Sequence, residues 1–212
     1  MKDIPVFTSE YGVASLIFKE IPYRQEAYIV IQSSVQPKQL LDECVSFCRM
    51  VGADRIFARG HEYVEQFPLH SMIYEMRGSV AVDEAKVESL WPVTEETVTQ
   101  WRQTLNERLK DIDHAQTLEK RDEKQILDRG GAYFVHRNGQ LLGAGWIADE
   151  ELLLIASCQK GAGDRVLHTL LSFSCPEQLR LQVVSSNEKA LRFYERMGFV
   201  KTSEVYRWHR VL

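Results

Sequence analysis

One stretch of the sequence, Ser185–Phe199 (SSNEKALRFYERMGF), most narrows the folds that this chain can adopt. The alternating apolar and β-favouring residues before it, Gln178–Val184, predict a buried strand. Asn187 is a good helix N-cap, because its side-chain oxygen can accept hydrogen bonds from the first free amides. Helical spacing predicts one buried face, made by Ala190, Phe193, Tyr194 and Met197. Gly198 permits a left-handed C-cap, so a short amphipathic helix ends there and Phe199 begins another strand.

The same stretch carries a pattern, N-x-x-A-x-x-F-Y-x-x-x-G-F, that resembles the C-terminal signature of the GNAT superfamily of acyl-CoA-dependent N-acyltransferases. The pattern is filled in register by Asn187, Ala190, Phe193, Tyr194, Gly198 and Phe199. The resemblance covers about residues 87–211, and its specific motifs lie within residues 151–199. It implies an α/β (α+β) fold with a GNAT-like mixed, mostly antiparallel central sheet flanked by helices. The residues before it are predicted to add an N-terminal α+β half-domain.

Composition limits the class of protein. A chain of 212 residues suits one large or two small domains and buries roughly 70% of its extended surface without needing disulfides or a metal. A formal net charge of −4 argues against nucleic acid as a partner. No apolar run approaches the ~18 residues of a membrane span, and the N-terminal residues MKDIPVFTSE lack the apolar segment of a signal peptide. We therefore expect a soluble protein with no membrane partner.

The four cysteines are interpreted as free thiols. Cys44 and Cys48 lie four residues apart on a predicted helix, with no histidine cluster that would complete a metal site. Cys158 and Cys175 are isolated in the sequence. Buried thiols are typical of a reducing compartment, so the expected localisation is cytoplasmic and no metal is expected.

Residues 1–82 are predicted to form a compact α+β domain. Its predicted elements are strands at Val13–Glu20, Ala27–Gln32, Arg55–Arg59 and Ser71–Arg77 and a helix at Pro37–Val51. The order of these elements suggests a degenerate half-copy of the C-terminal fold. Its strand-to-helix turn, SSVQPK, contains no glycine, so this half is not expected to bind the cofactor. The charged, non-periodic residues 81–88 are interpreted as the domain boundary.

Residues 83–212 are predicted to form the GNAT domain itself. Its predicted elements are strands at Ser89–Val93, Ala132–Arg137, Gln140–Ile147, Glu151–Ser157, Gln178–Val184 and Val205–Val211 and helices at Glu95–Asp111, Leu118–Arg129 and Asp164–Ser174, besides the helix after Asn187. Thr94 is the predicted N-cap of the first helix. Asn138-Gly139 predicts a type I′ hairpin turn, because both residues tolerate positive φ angles.

A glycine-containing loop, Cys158–Gly163, lies between the strand ending at Ser157 and the helix beginning at Asp164. Glycines let the backbone approach a ligand closely, and free amides at a helix N-terminus carry partial positive charge. We therefore expect this loop to bind a pyrophosphate. It resembles the family pattern Q/R-x-x-G-x-G/A at both glycines, but the first position is Cys158 and the loop is several residues shorter. Asp164 places a carboxylate beside the phosphates, and Lys160 supplies a cation.

The resemblance implies direct acetyl transfer from acetyl-CoA to an amine. It implies that Tyr194 protonates the leaving thiolate, although a core aromatic role would also explain this residue. Glu150 or Glu151 is a candidate base, and solvated strand-end charges are the alternative. Backbone amides at Ile155–Ser157 are the candidate oxyanion donors. The predicted cofactor-binding residues are Ile155, Ala156, Ser157, Gln159, Lys160, Gly161, Ala162, Gly163, Asp164, Asn187 and Phe193.

The sequence therefore predicts an acetyl-CoA-dependent N-acetyltransferase. Its expected acceptor is a small-molecule amine or amino acid, ahead of a protein N-terminus or lysine. The alternative is a non-catalytic acyl-CoA-binding or protein-interaction module, which could form a homodimer through the N-terminal half. A nucleotide-binding protein is a third alternative, but the loop lacks the G-K-[ST] partner that would bind metal and phosphate.

Overall fold

A computed structural model describes residues 5–174 and 178–212. Within them the strands are β1 (Val6–Ser9), β2 (Gly12–Ile17), β3 (Glu26–Ser34), β4 (Arg55–Arg59), β5 (Leu69–Gly78), β6 (Ser89–Pro92), β7 (Ala132–Arg137), β8 (Gln140–Ala148), β9 (Glu151–Ser157), β10 (Leu179–Val184) and β11 (Val200–Arg210). The α-helices are α1 (Ile21–Arg24), α2 (Pro37–Met50), α3 (Val98–Leu109), α4 (Asp122–Arg129), α5 (Gly163–Ser174) and α6 (Glu188–Arg196). Two short 3₁₀ turns lie at Glu62–Gln66 and Glu84–Lys86. None of the described helices has the length and apolar character needed to cross a membrane.

The chain forms two compact units. The first, here called the N-terminal unit, contains the residues up to Ile73 together with Glu204–Leu212, and the C-terminal unit is Tyr74–Ser203. The division falls inside β5 and β11 rather than in the predicted boundary at residues 81–88. The N-terminal unit is therefore discontinuous in sequence, because the end of β11 belongs to it. The functional assignment of residues 1–82 and 83–212 stays a prediction.

The sheet of the N-terminal unit has the strand order β1-β2-β3-β4-β11. β1, β2 and β3 pair antiparallel, β3 and β4 pair in parallel, and β11 runs antiparallel to β4 with His209 opposite Ala58. The core is closed by the apolar face of α2, which carries Leu40, Leu41, Cys44 and Cys48. Burial raises the pKa of both thiols to about 12, as expected of inert cysteines. Cys175 lies outside the described residues.

One predicted strand of this unit ends earlier than expected, and one observed strand is not predicted from the sequence. The predicted strand Val13–Glu20 is wrong beyond Ile17, because Pro22 favours a first helical turn and the chain enters α1. The arginine of that turn, Arg24, lies 3.8 Å from the carboxylate of buried Glu20, the N-cap residue of the same turn. The sequence analysis also did not predict β1.

The sheet of the C-terminal unit has the order β5-β10-β9-β8-β7-β6. Successive residues of β7 face opposite sides of the sheet. Phe134 packs in a core cluster with α3 and α4, and Val135 packs in a second cluster with α5 and α6. Helices therefore cover both faces of this sheet. Gly145 leaves room for α5, because a Cβ there would lie 2.4 Å from Leu170 Cδ1. The type I′ turn is confirmed by φ angles of 51° at Asn138 and 78° at Gly139.

Two helices of this unit start later than predicted. α3 begins at Val98, because Thr94–Thr97 forms a turn in which the Thr94 amide donates to Thr97 Oγ1 at 2.9 Å, so Thr94 is not its N-cap. α4 begins at Asp122 rather than Leu118. The Leu118 backbone is instead held by Asn106, whose side chain accepts from its amide at 2.9 Å and donates to its carbonyl at 2.8 Å. Side-chain bonds of this kind compete with helical ones.

The two units share an order of elements and of strand pairing. In the N-terminal unit an antiparallel pair, β2 and β3, is followed by α2 and by the parallel strand β4. In the C-terminal unit β8 and β9 are followed in the same way by α5 and by the parallel strand β10. This correspondence supports the half-copy hypothesis.

Candidate functional site

Within the described residues, β9 and β10 pair with each other only near their N-terminal ends. Their parallel register pairs Glu151 with Arg180 and Leu152 with Leu181, and no further pair forms between them in the described chain. At the same point β9 carries one extra residue, Leu153, opposite the step from Trp146 to Ile147 in β8. Such a bulge bends its strand. The two strands therefore separate, and the edge of β9 that faces β10 is open from Leu153 to Ser157.

A cavity of about 440 Å³ lies where these strands separate. This volume is typical of small-molecule sites. Its walls come from the end of β9, the loop after it, and helices α3, α5 and α6. The lining residues are Arg108, Leu109, Ile112, Ile155, Ala156, Ser157, Lys160, Gly161, Gly163, Asp164, Asn187, Lys189, Ala190, Phe193, Tyr194 and Arg196.

The loop between β9 and α5 presents free backbone amides to this cavity. Gly161 adopts a positive φ of 82°, and a Cβ there would meet nothing within 4 Å. The amides of Gly163 and Asp164, in the first turn of α5, make no hydrogen bond in the described part of the chain. These donors and the helix dipole together favour an anion at this end of the cavity.

The cavity also has a cationic rim, formed by Arg108, Lys160, Lys189 and Arg196. All four side chains are exposed, and none has an ion-pair partner in residues 5–174 and 178–212. The guanidinium of Arg196 lies 5.7 Å from the centre of the Phe193 ring. The donor set fits a ligand with several phosphates, such as CoA. Three of these cations, Arg108, Lys189 and Arg196, are not predicted as site residues from the sequence. Lys189 and Arg196 lie seven residues apart and so share a helix face with Phe193, a spacing that could have indicated two of them.

Tyr194 is buried between two aromatic rings and borders the cavity. Its ring packs edge-on against Phe193 at 5.3 Å and Phe199 at 5.6 Å. Its hydroxyl makes no hydrogen bond to any described residue. Burial raises the pKa of this hydroxyl above its ordinary value, so it is protonated at neutral pH and can donate a hydrogen bond or a proton.

Asn187 caps α6, as the sequence predicts. Its side-chain oxygen accepts from the Ala190 amide at 3.1 Å, and the residue also lines the cavity. Gly198, with φ of 92°, ends the helix. The most buried residues of α6 are Leu191 and Tyr194, so the predicted face is shifted toward Leu191, which the sequence analysis did not include.

Asn187→Ala should lower the free energy of unfolding by about 1 kcal/mol, since the cap bond is lost. Asn187→Asp should retain that bond and most of the stability, so it is the matched control. Denaturant unfolding of the two variants checks this expectation. Equal stability of Asn187→Ala and the unsubstituted protein would contradict it.

The structure brings most of the predicted site residues to the cavity. These are Ile155, Ala156, Ser157, Lys160, Gly161, Gly163, Asp164, Asn187, Phe193 and Tyr194. Gln159 is turned away, with its side-chain amide donating to the Leu141 carbonyl at 3.2 Å, and the side chain of Ala162 is buried in the core cluster. Neither side chain lines the cavity.

The two candidate bases lie at the opposite end of β9. Glu150 occupies the turn before the strand with φ of 60°, and Glu151 pairs with Arg180 at 3.2 Å. Since a strand rises about 3.3 Å per residue, Glu151 is roughly 20 Å from Ser157. The structure therefore does not bring these carboxylates to the cavity. The described residues also contain no group of three or more His, Cys, Asp or Glu side chains that could hold a metal ion.

The sequence matches no protein-family model and no curated protein. Its structure is similar to that of a GCN5-related N-acetyltransferase from Kribbella flavida, with a TM-score of 0.54 and 14% identity over 99% of this chain and 90% of that one. A GCN5-related N-acetyltransferase from Sphaerobacter thermophilus gives 0.55 and 13% identity over 93% and 75% of the two chains. A tandem GNAT protein from the clavulanic acid biosynthesis pathway gives 0.52 and 9% identity over 97% and 81%. The chain therefore has the GNAT fold, as the resemblance implies.

Proposed function

We propose that this protein is an N-acetyltransferase that takes its acetyl group from acetyl-CoA. The observation that carries the proposal is the cavity at the separation of β9 and β10, where free amides, unpaired cations and the Tyr194 hydroxyl meet. The amides and the cations together suit a ligand with several phosphates. A proton donor beside them suits a group-transfer reaction on that ligand.

In this proposal the loop and the rim hold the phosphates. The amides of Gly163 and Asp164 receive the pyrophosphate, with Lys160 beside them, and the cations of α3 and α6 neutralise the remaining charge. The open edge of β9 offers backbone groups to the amide-containing arm of the ligand. Acetyl-CoA supplies an acyl group activated as a thioester.

The chain's own chemistry is then positioning and proton transfer. Backbone amides at Ile155–Ser157 stabilise negative charge that develops on the acyl oxygen. The amine nitrogen bonds to the acyl carbon and the carbon–sulfur bond breaks, and Tyr194, which its raised pKa keeps protonated, donates its proton to the leaving sulfur. The proton that the new amide nitrogen loses restores the tyrosine through solvent. Asp164 is the carboxylate among the described lining residues, and it is engaged by Lys86 at 2.9 Å. We therefore propose that the acceptor amine loses its proton to solvent before it attacks.

We propose a small-molecule amine or an amino acid as the acceptor, ahead of a protein N-terminus or lysine. The cavity is also lined by the apolar side chains of Leu109, Ile112 and Ile155, which would accommodate the body of such a molecule. The alternative function is a non-catalytic acyl-CoA-binding or protein-interaction module. It is favoured by one observation, that the predicted bases Glu150 and Glu151 lie away from the cavity.

Thermal unfolding with acetyl-CoA, CoA and ATP in parallel tests the binding step. Ligand at 100 times its dissociation constant stabilises the fold by about 2.7 kcal/mol, which raises the Tm of a chain this size by roughly 5–10 °C. We expect this shift with both CoA species and a smaller shift with ATP. Lys160→Ala should reduce it, whereas Lys124→Ala, a lysine paired with Asp128 on α4, is the matched control.

Release of free thiol from acetyl-CoA in the presence of an amine panel then separates the two functions. Turnover with any amine supports the transferase. A CoA shift without turnover across the panel would favour the binding module, and no shift with any ligand would overturn the proposal.

A further inference from the structure

Residues 83–88, which belong to the predicted domain boundary at residues 81–88, lie along α5 within the C-terminal unit; we call them the strap. The strap is held by two buried side chains of α5. The Asp83 amide donates to His168 Nδ1 at 3.1 Å, and the Glu88 amide donates to Thr169 Oγ1 at 2.9 Å. A charged residue of α5 adds to this attachment, since Arg165 lies 2.7 Å from the Glu88 carboxylate.

This attachment places Lys86 beside Asp164. Lys86 Nζ lies 2.9 Å from Asp164 Oδ2 and 3.4 Å from Asp83 Oδ2. The other oxygen of Asp164 lies 3.7 Å from His168 Nε2. Asp164 is thus bound on the strap side of the helix, although it also lines the cavity.

Asp164 has a second set of partners within reach in its own backbone. It lies in the first turn of α5, where an acidic side chain is stabilised by the helix dipole and can accept hydrogen bonds from the free amides. Those amides are unbonded in the described chain. A carboxylate released from Lys86 would therefore compete with an anionic ligand for them.

We propose that Lys86 is a positioning residue, which holds the Asp164 carboxylate on the strap and so keeps the amides of α5 available to the phosphates of the co-substrate. This inference rests on the proposed function, because it assumes that the amides receive phosphate. It assigns to the strap a role in ligand affinity, and it explains how an aspartate can occupy the first turn of a phosphate-binding helix.

Isothermal titration of the full chain with CoA tests the inference through a pair of linked substitutions. Lys86→Ala should weaken CoA binding about five- to tenfold, since charge at a helix terminus changes binding by up to about this factor. Lys86→Arg should bind within about twofold of the unsubstituted protein, because it preserves the ion pair. Lys86→Ala combined with Asp164→Ala should recover most of the lost affinity, since the competing carboxylate is gone.

The recovery distinguishes positioning from other roles of Lys86. If Lys86 touched the phosphates itself, the affinity would stay low in the double variant. If it only stabilised the fold, ligand-free thermal unfolding would change while CoA affinity would match that of the Lys124→Ala control. Either result would overturn the inference while the proposed function stands. Failure of the unsubstituted protein to bind CoA would instead remove the proposed function, and the inference with it.

Discussion

Tyr194→Phe is expected to lower turnover by about 100-fold or more while leaving CoA affinity within about twofold, because general acid catalysis contributes 10²–10⁴-fold. The substitution removes one hydroxyl and keeps the ring that packs against Phe193 and Phe199. The hydroxyl makes no hydrogen bond to a described residue, so its loss should not destabilise the fold. Thiol release under saturating acetyl-CoA measures the first quantity, and titration with CoA measures the second.

Tyr133→Phe is the matched control, since Tyr133 packs on the same core cluster but does not line the cavity. Unchanged turnover in Tyr194→Phe would remove this residue from the proposed mechanism. The pH dependence gives a further check. Because the pKa of Tyr194 is raised above the ordinary 10, its deprotonation should not lower the rate below about pH 10 in the unsubstituted protein.

Trp208→Ala is expected to lower the free energy of unfolding more than Asn187→Ala does. Trp208 is 6% exposed and lies in the part of β11 that belongs to the N-terminal unit. Its ring packs edge-on against Tyr28 at 5.0 Å and supports the guanidinium of Arg59 at 5.1 Å. Truncating a buried tryptophan costs about 3–5 kcal/mol, which corresponds to a fall of roughly 10 °C in Tm.

The labelling rate of Cys44 and Cys48 locates this effect in the N-terminal unit. Both thiols are buried there, so faster reaction with a thiol reagent in Trp208→Ala would report local opening. Trp91→Ala is the control, because Trp91 is 60% exposed and its loss should change the Tm little. A Tm for Trp208→Ala equal to that of the control would contradict the expectation that Trp208 of β11 stabilises the N-terminal unit.

The sequence predicts those features of the fold and of the site that depend on residues adjacent in the chain. The cap at Asn187, the stop at Gly198 and the turn at Asn138-Gly139 each depend on the conformation of a few adjacent residues, and all three are confirmed. The loop after β9 was found for the same reason, since its glycines directly follow a strand and precede a helix.

The rest depends on residues that are distant in sequence. Arg108 reaches the cavity from α3, and Lys86 meets Asp164 across almost eighty residues, so no local pattern contains either contact. Glu150 and Glu151 show a different limit. The family resemblance predicts them as bases, but Glu150 precedes β9 and Glu151 begins it, whereas the loop follows its other end. A seven-residue strand keeps its two ends apart.

The pairing of β4 with β11 has a consequence for how the protein is made. A ribosome completes β4 early, but His209, which lies opposite Ala58, is added only after the whole C-terminal unit of about 130 residues has been translated. At 5–20 residues per second this interval is on the order of ten seconds. During it the nascent chain exposes an unpaired strand edge, which is a template for aggregation. The N-terminal unit therefore starts to be translated before the C-terminal unit but is completed after it, so the yield of folded protein in a cell should depend on chaperones that shield the unpaired edge of β4.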